Sequence, residues 1–495
     1  MALCFFLQPR QLTVSLLLLL FSLAPVINVA GEEIETATAR RELRAGAATS
    51  NITPDIGGLI VGNFVSPPST HIHDELHARC LVLDNGETRM AIVICDLLGV
   101  SKELADAARS IIHAENSIPE ENILIAATHT HSAVSALGKD RFKNNPQLDD
   151  YQRFVVRRIA DGVRRAVNNL APARIGWAVG EEPRHVFNRR WEMKPGTAGR
   201  NPFGGTNDVV KMNPAPGSEN LMKPAGPTDP QVSIIAVETP EGRPMALLAN
   251  YSLHYVGGVP PTEISADYFA VFCDRIQELL GADRQSPPFV AMLSNGTSGD
   301  INNIDFTKPA EKRPPYEKMR IVAHGVADAA LKAYRTIEFR DWVPLGGQLQ
   351  WLEIGTRRPT SEQLERAKSI VSGPETTKRS LEQIYAERTI ALSKYPPTLP
   401  IPVQALRIGD VGIAGMPNEV FAETGLELKR RSPFQPSFTI EIANGYYGYL
   451  PTPEQHKLGG YETWLATSRL EEEASRKMTE AIIRMWRELE GDGAE

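Results

Sequence analysis

The stretch "ELHARCLVLDNGETRMAIVICDLLG" limits the fold more than any other in this chain. Two apolar runs flank Asn85-Gly86, and Asn-Gly between strand-like runs is the strongest short-range hairpin signal. A β-meander therefore opens the core. Beyond it, helical periodicity alternates with short apolar strands: a helix from about Lys102 to Ala114, a strand at "NILIAAT", a long helix from Asp149 to Leu170 and a strand at "ARIGWAVG". Strands at "VSIIAVET", "PMALLANYS" and "PFVAMLS" follow, with helices at about Asp267 to Leu280 and Pro315 to Ile337. A charged helical pair, Ser361 to Pro396, precedes "VQALRIGDVGIAG", and the last third returns strand, helix, strand and a helix from about Thr467 to Leu489. The expectation is mixed α/β, with central β-sheets flanked by helices in one large domain, 31–495, and no internal repeat. Arg189 to Pro230 is rich in Gly, Pro and Asn and has neither periodicity, so it is predicted as a long substrate-side loop, the alternative being a solvated excursion without a role.

Composition narrows the function classes. With 42% hydrophobic and 23% charged residues, the 495-residue chain is close to the average soluble globular protein. Its 53 Lys and Arg against 60 Asp and Glu give a formal charge of −7, and the basic residues are scattered, which excludes nucleic acid as a partner. The start, "MALCFFLQPRQLTVSLLLLLFSLAPVINVAGEE", places Arg10, an apolar core from Leu12 to Leu23 and small residues near Ala30 in the order of an export signal. That core is shorter than the ~20 residues of a spanning helix. Residues 1–30 are read as a signal peptide, with an uncleaved anchor as the alternative, and the mature protein as exported. Cys80, Cys95 and Cys273 remain after the signal, an odd number without a CxxC pair, so any metal must be held by His, carboxylate or Tyr.

Candidate ligands stand at strand ends. In "NILIAATHTHS", His129 and His131 are two residues apart, and in a strand such residues share a face. They are a metal site or two polar residues that end a strand. His254 ends another apolar strand in "ALLANYSLHYVGG", where Gly257 and Gly258 leave room for a close approach to the backbone. In "IAGMPNEVFAETG", Pro417 and Asn418 mark a helix start and put Glu419 in its first turn, where it either serves chemistry or supports the helix dipole.

Taken in order, "SNITPDIGGLIVG", "HIHDELHAR", "ATHTHS", "FNRR", "SLHYVGG", "TSGDIN", "GMPNE" and "YYGYLPTPEQHKLGGYETW" resemble the catalytic domain of the neutral, non-lysosomal ceramidases, from about residue 47 to 465. The resemblance implies a single catalytic domain of that type and a zinc amidase that uses a metal-activated water to cleave the N-acyl bond of ceramide. By matching position it implies His129, His254, Glu419 and Tyr449 as zinc ligands. Tyr449 is chosen among the tyrosines of "GYYGY" because it stands 12 residues before Tyr461, the interval the family keeps between its ligand and a second active-site tyrosine. His131 and Tyr461 become proton-transfer candidates, while Arg189 and His73 line the pocket and meet the polar head of the substrate. At His73 the pattern is broken, since Asp74 and Glu75 follow where the family has a basic residue. Two neutral imidazoles, a carboxylate and a phenol suit Zn²⁺, and an open position for water marks a catalytic site.

Three departures bear on substrate. "AVSALG" replaces a glycine-rich continuation after THTHS, Asn302 replaces the serine after the Gly-Asp pair, and the chain ends about 30 residues after the tyrosine motif, which leaves out the family's C-terminal β-domain. Asn302 is a poor nucleophile and a competent hydrogen-bond donor, so it is assigned to the catalytic set in that role. The expected substrate is a small amphipathic lipid or another amide, with contact to a membrane surface. The alternatives are a zinc hydrolase of the same fold acting on a different amide or ester, and a metal-binding protein without turnover.

Overall fold

A computed structural model describes residues 41–138, 147–373 and 379–491. The expected signal segment, 1–30, lies outside the described residues. The described residues cluster as one compact unit.

The first sheet is built from β1 (Arg44–Asn51), β2 (His77–Asp84), β3 (Arg89–Cys95) and β4 (Ile123–Ala127), with α1 (Lys102–Asn116) crossing between β3 and β4 and α2 (Asp150–Asn168) following. The Asn85-Gly86 hairpin joins β2 to β3 as read, with Gly86 at φ +83°. β1, β2 and β3 are antiparallel, and β4 pairs parallel to β3. The order repeats in β5 (Arg174–Glu181), β6 (Gln231–Glu238), β7 (Pro244–Tyr251), α3 (Asp267–Leu279), β8 (Val290–Asn295) and α4 (Glu317–Tyr334), again with a parallel last pair. It repeats a third time in β9 (Leu345–Gly355), β10 (Thr398–Ile408), β11 (Val411–Met416), α7 (Ala422–Arg431), β12 (Ser437–Glu441) and α8 (Ala474–Gly491). Between β9 and β10 stand α5 (Ser361–Val371) and α6 (Leu381–Leu392).

The chain therefore contains a threefold repeat of three antiparallel strands, a crossover helix, a parallel strand and a covering helix. The expectation of no internal repeat is corrected. Topology carries the repeat, which no residue motif does, because a βαβ crossover needs only apolar runs of the right length.

The three sheets share one core. Leu81, Ile92 and Leu124 of the first, Ile235, Leu248 and Met292 of the second, and Leu406, Ile413 and Phe438 of the third belong to a single buried cluster. The alternate residues of the same strands face outward under helices: Cys80, Val93 and Ile125 against α1 and α2, Ile234, Leu247 and Leu293 against α3 and α4, Val403 and Ala414 against α8. Strands buried on both faces read as continuous apolar runs, which is why they are visible in the sequence.

Two readings change. The Arg189–Pro230 segment holds short strands, Arg190–Met193 between Val210–Met212 and Leu221–Pro224, with Trp191, Met193 and Phe306 as a small core. Ladders this short leave no periodicity among Gly, Pro and Asn. The last helix starts at Ala474, because Leu465, Thr467 and Ser468 are engaged in turns and bridges to Gly448 and Tyr449. Cys80, Cys95 and Cys273 are buried and unpaired. No helix among the described residues is long and apolar enough to cross a membrane.

Trp486, 1% exposed, fills the space between α8 and the third sheet beside Gly412. Trp486→Ala is expected to cost about 3–5 kcal/mol in urea unfolding; a change below 1 kcal/mol would show that α8 is not part of the core.

Candidate metal centre

His129 lies two residues beyond the end of β4, outside the strand, at a left-handed φ of +68°. The shared face expected from strand alternation is thus replaced by a turn, which still directs both rings to one place: His129 Nε2 and His131 Nε2 are 3.2 Å apart. His254, past the end of β7, joins them, and one ring nitrogen from each of the three falls within 4.8 Å of the others. Glu419 completes the group, with Oε2 3.4 Å from His129 Nε2 and 3.7 Å from His254 Nε2. It is not in the first turn of a helix. Glu419–Val420 is a short strand paired in parallel with Tyr449–Leu450, and α7 starts only at Ala422, because the Glu419 and Val420 amides bond to the Gly448 carbonyl and the Glu441 carboxylate.

Each imidazole is oriented from behind. His129 Nδ1 donates to the Leu98 carbonyl at 2.6 Å, and His254 Nδ1 to the Ser298 carbonyl at 3.0 Å. A carbonyl only accepts, so both Nδ1 atoms carry the proton and Nε2 faces the cluster. Burial, with the Arg189 charge and the neighbouring imidazoles, pushes His254 well below its ordinary value and keeps it neutral. Burial alone would raise Glu419. The His129 ring and hydrogen bonds from Tyr446 and Tyr449 outweigh it and hold the carboxyl at about 2. Burial keeps the Tyr449 phenol well above its usual range, hence a donor.

These groups fit a cation. His254 Nε2 and Glu419 Oε2 are buried without hydrogen-bond partners, an arrangement that costs about 1–3 kcal/mol per group unless something else satisfies it. Tetrahedral zinc with bonds near 2.0–2.1 Å sets its ligand atoms about 3.4 Å apart. The separations of 3.4 and 3.7 Å match that spacing, and Tyr449 stands beside Glu419 on the paired strand.

No protein-family model matches the sequence, and no curated protein does. Among solved structures, the neutral ceramidase of Pseudomonas aeruginosa matches with a TM-score of 0.66 and 18% identity, over 90% of this chain and 74% of its own. A ceramidase complexed with C2 matches with a TM-score of 0.68 and 18% identity, over 91% of this chain and 76% of its own. The chain has the neutral ceramidase fold.

Within that fold the other predicted residues divide. Arg189 is buried, donating from Nη2 to Tyr449 Oη at 2.9 Å and from Nε to Glu462 at 3.0 Å, so it reaches the cluster through Tyr449. Tyr461, half-buried, meets the Tyr449 ring edge-on at 5.7 Å. Asn302 pairs with Phe187 and donates to Asn213 Oδ1 at 3.0 Å, at the border of the 189–230 segment. His73 stands apart: it is 38% exposed, stacked on Tyr316 at 3.8 Å and paired with Asp74.

Several residues at the site were not anticipated. Tyr446 donates to Glu419 Oε1 at 2.6 Å, Tyr255 stacks on His131 at 3.7 Å, and Glu462 is the buried counter-charge of Arg189 and Arg190. Gly62 and Gly299 leave room for the site, since a Cβ would lie 2.6 Å from the His131 ring in one case and 2.5 Å from the Glu419 carbonyl in the other. The quoted motifs contained most of these, but their pairing is long-range and has no sequence signature.

His254→Ala is expected to abolish binding of a divalent metal in titration of the purified protein, and His73→Ala to leave it unchanged. Equal loss in the two would mean that the cluster is not the metal site.

Proposed function

We propose that this protein is an exported zinc-dependent amidohydrolase that cleaves the N-acyl bond of ceramide-like lipids. The observation that carries the reading is the convergence of two buried imidazoles and a buried carboxylate, with unpartnered atoms facing one another, in a chain with the neutral ceramidase fold. Zinc held by His129, His254, Glu419 and Tyr449 would supply Lewis-acid activation of water and of the scissile carbonyl.

The chain's own residues do the rest. His131 is half-buried, stacked on Tyr255 and within 3.2 Å of His129, so in this reading it takes a proton at Nε2 and returns it to the leaving amine. Tyr461 is the second proton donor on that side. Arg189 holds the Tyr449 phenol in place, with Glu462 balancing its charge. Asn302 offers an amide N–H to substrate or to the developing oxyanion. His73 would serve the polar head only at the outer margin, where it lies stacked on Tyr316.

An amphipathic substrate is supported by the rim. Ile56, Leu59, Phe64 and Val65 are exposed on one loop, which reaches His131 through Gly62 and meets Tyr461 through Phe64 at 6.1 Å between rings. Apolar side chains so close to the polar cluster suit a molecule with a polar head and an acyl chain, and contact with a lipid surface. The N-terminal apolar segment is read as the export signal that brings the enzyme to such a surface. A second reading, hydrolysis of a different amide or ester at the same centre, is favoured by Asn302 alone.

Zinc content by mass spectrometry, with fatty-acid release from short- and long-chain N-acyl sphingosines, tests the proposal. One zinc per chain with release is expected; zinc without release would transfer the reading to another amide or ester. His131→Ala is expected to keep most zinc and lose turnover, whereas His129→Ala loses both, and equal zinc loss would reverse their roles.

Asn302→Ala is expected to slow release by no more than ~10²–10³-fold, the range for a lost oxyanion donor, and Asn302→Ser to be tolerated. A large gain in Asn302→Ser over a nearly inert wild type would instead indicate a serine-type nucleophile at this position.

A further inference from the structure

Glu441, the last residue of β12, is completely buried and carries no role in the chemistry described so far. Its carboxylate is surrounded by donors. Oε1 accepts from Ser298 Oγ at 2.5 Å, while Oε2 accepts from the Val420 amide at 2.6 Å and from the Ser298 amide at 3.3 Å. Ser298 in turn stands behind His254: its carbonyl accepts from Nδ1 at 3.0 Å, and its hydroxyl oxygen lies 3.3 Å from the same nitrogen. Val420 is joined to Glu419.

We infer that Glu441 is a positioning residue that orients two metal-binding side chains at once, His254 through Ser298 and Glu419 through the Val420 amide. The inference rests on the metal-centre reading above. The chemistry follows from donor and acceptor roles. The Ser298 carbonyl only accepts, so it gives His254 the tautomer with the proton on Nδ1, and Glu441, bonded to both the hydroxyl and the amide of Ser298, holds that carbonyl in place and leaves the Nε2 lone pair toward the cluster. The same carboxylate fixes the direction of the Glu419–Val420 strand from the opposite side. Such outer partners of ligating residues typically change metal affinity ~10–100-fold when lost.

Methionine at this position keeps the length of the side chain but makes none of these hydrogen bonds. Glu441→Met therefore releases Ser298 and the Val420 amide together with little change in volume.

The test is competition of the full chain against a chelating dye for zinc, with thermal unfolding of each apo-protein and histidine ¹⁵N shifts, His254 assigned by its loss in His254→Ala. Glu441→Met is expected to weaken zinc ~10–100-fold and to move the His254 nitrogens away from the Nδ1–H pattern. Ser298→Ala, which removes only the hydroxyl, is expected to weaken zinc by less, and the double variant to weaken it by no more than Glu441→Met alone. A wild type that binds no zinc would overturn the metal-centre reading itself. Tight zinc in wild type with unchanged affinity in folded Glu441→Met would overturn this inference and leave that reading standing. A lowered unfolding temperature with unaltered affinity and ¹⁵N shifts would likewise assign Glu441 to stability alone.

Discussion

Two parallel strands must end on the same side of their sheet, so the residues that follow them are held as neighbours. This chain meets that constraint three times, in β3 with β4, β7 with β8, and β11 with β12. In each pair the strand ends are tied across. Leu98, after β3, accepts from His129, after β4; His254, after β7, donates to Ser298, after β8; and Glu419, after β11, pairs with Tyr449, after β12. Because the sheets share one central core, the three sets of ends meet at one place, where chemistry is held by three rigid elements at once. Ligand sites of open α/β sheets use the carboxyl ends of parallel strands for the same geometric reason.

What collects there would be unstable in isolation. An ion moved out of water costs several kcal/mol even after relaxation, and Glu419 is 2% exposed. Two tyrosine hydroxyls and the His129 ring compensate it, while Arg189 and Glu462 form a second buried pair beside Tyr449. Polar atoms in this region therefore have narrow choices of position, and His254 Nε2 and Glu419 Oε2, each without a hydrogen-bond partner, face one another at 3.7 Å. That coincidence, more than the count of histidines, distinguishes a binding centre from a satisfied polar core.

The strands and crossover helices were legible because both faces of each strand are buried and each helix carries one apolar face. Asn85-Gly86, the run at "NILIAAT" and the Asp267–Leu279 helix are local statements that tertiary structure had no reason to override. The threefold repeat was not legible, since order of elements is independent of residue identity. At the site, His129, His131, His254, Glu419 and Tyr449 were placed together through a family resemblance; residue chemistry alone left the first two open between ligand and strand end. The local geometry escaped. Glu419 looked helical because Pro417-Asn418 is a good helix entrance, yet its amide donates to the Gly448 carbonyl and the next amide, Val420, to the Glu441 carboxyl, and these long-range bonds hold the pair extended. Glu441 offered no signal whatever, being one acidic residue at the end of an apolar strand.

The "TSGDIN" stretch shows how much structure one short motif can carry. Ser298 supports His254, and Gly299 admits the Glu419 backbone. Asp300, whose carboxyl burial raises to about 7, accepts from the Ala422 amide at the start of α7 and from Asn188. These three residues join the second repeat to the third. Asn302 comes after that work is done. It is half-buried, paired with Phe187 and bonded to Asn213, so its surroundings belong to the irregular 189–230 segment and not to the repeats. The Asn302 side chain takes no part in the hydrogen bonds that Ser298 and Asp300 make. The architecture thus separates the centre, which the repeats hold, from the irregular 189–230 segment, an insertion into the second repeat between β5 and β6. Asn302 and Asn213, bonded to each other, lie outside the buried network on which the centre depends.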